Sequence, residues 1–206
     1  GQSLDAKLAL IELLSDPNTT PLAHDSRIVR EAAAQLTATL LADCSQGLQD
    51  ARAKLITLLT DDLESMATRA LASDPAHPDS VMTPSRNALE GIFYTFLELV
   101  RRGDVSKTIR SVPIVLRAAL RTAETKDKDF SLVAKLTGAY LKYLYFEREE
   151  LKVLVEMLQA TMTDENWHTR AATLRYVQSL VYHHACTIGS ELFASLRESV
   201  IERLGD

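Results

Sequence analysis

Nine stretches of this chain carry apolar residues at i, i+3, i+4 and i+7, the spacing that gathers side chains on one face of an α-helix. They run over 4–14, 25–42, 47–72, 85–102, 105–123, 128–145, 147–162, 166–186 and 190–204, and Asp, Ser, Asn or Pro bounds each one. Such a chain must bury nine apolar stripes against one another. With only 7 Gly and 6 Pro in 206 residues, and abundant Leu and Ala, the composition favours helices joined by short connections over a turn-rich sheet protein. The predicted fold is all-α, with about nine antiparallel helices.

Two connections are longer than tight turns: Ser15 to His24, with Pro17 and Pro21, and Ser73 to Pro84, with Pro75, Pro78 and Pro84. The second is the expected mobile loop, yet it is too short for an interdomain linker. The later helices recur in pairs near Val105, Glu147 and Ser190, a spacing close to the ~40–47 residues of a HEAT or armadillo unit. A local pattern recurs as well. Leu13-Leu14-Ser15-Asp16-Pro17 leads to Val29-Arg30-Glu31-Ala32-Ala33, and Met157-Leu158 through Asp164 leads to Thr169-Arg170-Ala171-Ala172. Each half reads as apolar helix, acidic turn, then Arg and small residues. An acid in the turn caps the second helix or pairs with its Arg, and alanines let neighbouring helices approach closely. The expected architecture is a HEAT/armadillo-like solenoid in which residues 1–206 form one repeat segment of a longer protein.

Composition and motifs exclude several functions. A net charge of −5 gives no global attraction for nucleic acid or an acidic membrane, and no apolar run reaches the ~18 residues needed to span a bilayer. Cys44 and Cys186 lack Cys-x-x-Cys spacing, so neither a disulfide framework nor a zinc ribbon is indicated. His183 and His184 are adjacent on a helix, so their rings diverge by ~100° and do not grip one metal ion. No Gly-x-Ser-x-Gly elbow, His-Glu-x-x-His pair or phosphate-cradling glycine loop occurs. No catalytic residue, metal site or resident cofactor is expected, and the protein is read as a non-enzyme.

Three groups of residues remain as candidates. Eight Lys or Arg residues lie between Arg101 and Lys128, and Lys107, Arg110, Arg117 and Arg121 share a helix face opposite Ile109, Val112, Leu116 and Leu120. This is either a solvated outer face or a polyanion site, and Pro113 kinks the segment or sets the helix start near Ser111. Trp167, Arg170, Leu174, Val177, Val181 and His184 form one stripe, read mainly as core, with Trp167 and Arg170 as the alternative interface hot spot. Arg170 on that stripe needs a carboxylate or backbone carbonyl, and Asp164 and Glu165 are nearby. The aromatic runs Tyr140, Tyr143, Tyr145, Phe146 and Phe93, Tyr94, Phe96 are read as packing between helices.

The segment from Asn166 to Tyr182, Asn-Trp-His-Thr-Arg-Ala-Ala-Thr-Leu-Arg-Tyr-Val-Gln-Ser-Leu-Val-Tyr, resembles the Trp-His-x-Arg, Leu-x-Tyr-x-Gln and Val-aromatic series near the C-terminal end of the giant HEAT-repeat proteasome activators, the 200-kilodalton type. His183, His184 and Cys186 depart from that family's pattern. The resemblance implies a curved α-solenoid that caps the proteasome core particle and regulates its gate without ATP or ubiquitin, in nucleus and cytoplasm. It also implies inositol polyphosphate and acetylated histones as ligands. The family docks through a hydrophobic-Tyr-x tail, whereas this chain ends Arg203-Leu204-Gly205-Asp206, so a fragment is expected. The competing expectation is a HEAT scaffold or transport adaptor for other proteins.

Overall fold

A computed structural model describes residues 4–15, 20–43, 45–71, 83–103 and 108–203. They form α1 (Leu4–Ser15), α2 (Arg27–Ala42), α3 (Gln49–Thr60), α4 (Leu63–Leu71), α5 (Thr83–Arg102), α6 (Val112–Thr122), α7 (Lys128–Leu141), α8 (Arg148–Thr161), α9 (Trp167–His183) and α10 (Gly189–Arg203). The expected all-α class holds, and no strand occurs among the described residues. Most of the Ser73–Pro84 connection, including its expected mobility, lies outside them.

The helix expected over 47–72 is two helices. It opens with a 3-10 turn at Gln46–Leu48 and breaks at Asp61-Asp62. Aspartate is a poor helix-interior residue and a good cap; here the Asp62 carbonyl accepts from the Met66 N–H at 2.8 Å, starting α4. The helix expected from 105 starts at Val112, after a 3-10 turn at Ile109–Ser111. Pro113 is therefore its second residue, where no N–H partner is required. The recurrences expected at Glu147 and near Ser190 appear as helix starts at Arg148 and Gly189. Val105 lies outside the described residues.

The chain forms two compact units, Gly1–Val115 and Leu116–Asp206. In the first, α2 lies against α5. Ala33, Ala34, Thr37, Ala38 and Leu41 are buried on α2, and Leu89, Phe93 and Phe96 are buried on α5, the helix it packs against. The two helices run parallel: Arg30 meets Glu90 near their starts, and the Thr39 hydroxyl accepts from Arg102 at 2.7 Å near their ends. Parallel helices that are not consecutive in sequence are what stacked repeats produce. Leu22, in a 3-10 turn at Pro21–Ala23, closes the layer. A Cβ on Gly91 would lie 2.2 Å from the Leu22 carbonyl oxygen, so only glycine fits at that crossing.

The second unit repeats the arrangement. Arg148 and Glu191 meet at 3.8 Å near the starts of α8 and α10, and Gln159 donates to Ser195 and Ser199 further along, at 2.9 and 2.8 Å. These helices are also parallel. The last residue of α9, His183, meets the Tyr143 ring just past the end of α7, centroids 4.7 Å apart. Phe130, Val133, Leu141, Phe146, Leu154 and Leu158 are fully buried in this core.

Threonines take many core positions. Thr37, Thr95, Thr122, Thr137 and Thr173 are buried, and each donates its hydroxyl to the carbonyl four residues earlier, at 2.8–2.9 Å. The helix itself satisfies the polar group, so the residue packs through its methyl.

Candidate functional site

The recurring Arg occupies the same local position in both units. Arg30 Nη1 donates to the carbonyls of His24 and Asp25 at 2.7 and 2.8 Å. Arg170 Nη1 donates to those of Asp164 and Glu165 at 2.9 and 3.0 Å. In each case the acceptors lie six and five residues upstream, in the turn entering the helix. The expected carbonyl partners of Arg170 are thus present, supplied by Asp164 and Glu165. Arg30 goes further: its Nη2 binds Glu90 Oε2 at 2.7 Å, with both side chains only 7% exposed. Asn87, one turn earlier on α5, donates to Asp25 at 3.3 Å. This constellation ties a turn and two helices together.

The turn before α9 is ordered residue by residue. Asp164 Oδ1 accepts from the Asn166 N–H, and Asn166 Oδ1 from the His168 N–H, both at 2.9 Å. Asp164 Oδ2 also lies 3.3 Å from Arg121 Nε. A predicted polyanion residue is therefore held in an ion pair inside its own unit. Of the other three, Arg110 is exposed in the 3-10 turn of the first unit, and Arg117 is half-buried on α6 in the second. Lys107 lies outside the described residues.

The predicted α9 stripe requires correction. Trp167 is 61% exposed, its ring stacked on His168 at 3.6 Å, and Leu174 and Val181 are half-buried. The buried face is Thr169, Ala172, Thr173, Tyr176, Val177 and Leu180. Of the predicted stripe only Val177 and His184 are buried, and Thr169 and Thr173, which the stripe omitted, pack in the core. Trp167 stands where an interface residue would stand, while Arg170 serves the turn.

The aromatic runs divide. Phe93, Phe96 and Phe146 are core as expected, but Tyr140, Tyr143 and Tyr145 are exposed, as is Tyr182 at 80%. Helix α7 stops at Leu141, and the N–H groups of Tyr143 and Leu144 bond to the carbonyls of Tyr140 and Leu141, closing a turn that carries Tyr143. Tyr143 and Tyr182 both meet the His183 ring edge-on, and Lys142 Nζ lies 5.0 Å from the Tyr143 centroid. Rings with a polar tip gathered at a surface suit protein recognition.

His184, next along, is buried against Phe146, with Nδ1 3.3 Å from the Thr187 hydroxyl. Burial pushes its pKa below the ordinary histidine value, backbone hydrogen bonds near Lys142 and Leu144 oppose that shift, and the charge of His183 adds to it. Among the described residues no group of three or more His, Cys, Asp or Glu is placed to hold a metal ion, and no helix is long and apolar enough to cross a membrane.

No family model matches the chain. Over 167 residues, 81% of its length, it is 22% identical to Proteasome activator subunit 4 of Arabidopsis thaliana. The chain is distantly related to that subunit. The aligned length is far greater than that of the Asn166–Tyr182 segment that carries the resemblance in sequence. The chain spans 9% of the relative's length.

Proposed function

We propose that this chain is a helical-repeat segment of a proteasome activator whose full-length form caps the proteasome core particle and regulates its gate without ATP or ubiquitin. The 22% identity over 81% of the chain carries this reading. The stacked parallel helices of each unit support it, since a large shell is built economically from repeats that each contact their neighbours. In this reading the segment works as an interaction protein and not as an enzyme, in nucleus and cytoplasm. The Arg30 and Arg170 constellations hold the layers, and the exposed rings from Tyr140 to Tyr182 offer a surface for other parts of the assembly.

The test uses the full-length protein with purified core particles, with and without ATP. Expected are co-sedimentation and faster hydrolysis of a short fluorogenic peptide, neither changed by ATP removal. Full-length protein that fails to co-sediment with core particles, and leaves hydrolysis at its basal rate, would overturn the proposal.

A further inference from the structure

In the second unit, the C-terminal part of α6 and the middles of α7 and α9 line a pocket of about 210 Å³. Its walls are small, with Ala119 from α6, Ala123 just past its end, Ala134 and Gly138 from α7, and Ala172 from α9. Its charged residues are Lys135, Lys142 and Arg175 against Glu124. Three cations to one carboxylate make this spot basic in a chain whose net charge is −5. Glu124 is shared between Lys135 at 3.0 Å and Arg175 at 3.7 Å, so one acid is spread over two bases.

One further observation marks the pocket as more than a packing gap. Gly138 sits mid-helix, where glycine weakens a helix. A Cβ there would meet only Leu116 Cδ1 within 4 Å, at the ordinary distance of 3.9 Å. Packing therefore does not require glycine, in contrast to Gly91. Tyr176 also lines the pocket and is 6% exposed.

Size selects the class of occupant. Pockets for small molecules and cofactors usually enclose ~300–1,000 Å³, and about 210 Å³ suits one aliphatic side chain with a stretch of backbone. We propose that this pocket binds an acidic segment of a partner protein. One small aliphatic side chain enters between Ala134, Gly138 and Ala172, and flanking carboxylates meet Lys135, Lys142 and Arg175. This proposal stands apart from the proteasome reading and is tested on the chain alone.

The experiment selects heptapeptides from a randomised library on the 206-residue chain, then titrates the enriched peptides by fluorescence anisotropy. Expected are acid-rich sequences with a central Ala or Val, binding that weakens with salt, and about tenfold loss for Lys142→Glu or Arg175→Glu. Gly138→Ala is the second variant, expected to weaken binding while raising the melting temperature, so that misfolding cannot explain the loss. Absence of acid-rich enrichment overturns the proposal, as does binding indifferent to all three substitutions. Self-association of the chain with the same sensitivities would overturn it in favour of a second copy as occupant.

Discussion

Arg30 shows how a charge survives in a repeat core. Its guanidinium exchanges water for two carbonyls and the Glu90 carboxylate, at 2.7–2.8 Å. Removing one member leaves the other charged and buried, so Glu90→Ala is expected to cost about 3–5 kcal/mol in urea unfolding, with much of that recovered in a double variant of Met at Arg30 and Leu at Glu90. The glycines behave oppositely to each other. Gly91→Ala drives a methyl into the Leu22 carbonyl and should destabilise by at least about 1–3 kcal/mol, whereas Gly138→Ala should stabilise by about 0.5–1 kcal/mol. His184 makes stability depend on pH. Its folded-state pKa lies below the unfolded value of about 6.5, so the unfolded chain takes up the proton first. Stability is complete above that value and falls as pH drops through it towards the lower folded-state pKa. Melting temperatures between pH 8 and 5 should fall more steeply for the native chain than for His184→Phe; parallel curves would refute this.

Among the helices, α9 depends most visibly on its entry turn. Asp164 and Asn166 cap in succession, and Arg170 returns to the same turn. Asn166→Ala is expected to cost about 1 kcal/mol in thermal unfolding. The existence of this helix and the need of Arg170 for a partner were legible in sequence, because they depend on residues within six positions; the cap, expected from an acid in the turn, is held by Asn166. The buried face of the helix was not legible. Thr173 hides its hydroxyl in its own helix, and hydropathy alone does not show that. The α3–α4 break was missed for a related reason: Asp61 and Asp62 sit in an otherwise continuous apolar pattern, and the preference of aspartate for a cap prevailed.

For the whole molecule, the repeat reading rests on which helices lie beside which. Parallel pairs α2 with α5 and α8 with α10 appear through contacts 36–63 residues apart in sequence. On the proposed function, the exposed rings and the buried lock should separate by phenotype in the full-length protein. Tyr143→Glu is expected to reduce assembly with core particles at unchanged melting temperature, while Glu90→Ala should reduce assembly only as far as it reduces the folded fraction. Co-sedimentation beside thermal melts makes the distinction.

By itself the sequence determined the helical class, most helix limits, the repeated Arg beside its turn and the family resemblance. All of these rest on spacing, capping and short-range chemistry. Only tertiary structure decided that Trp167 and three tyrosines face solvent, that Arg121 is held by Asp164, and that small residues from three helices leave a basic pocket open. Each depends on how a helix is rotated against a neighbour distant in sequence. Periodicity fixes that a helix has a buried face, but where polar residues are satisfied within the helix, the packing partner chooses which face it is.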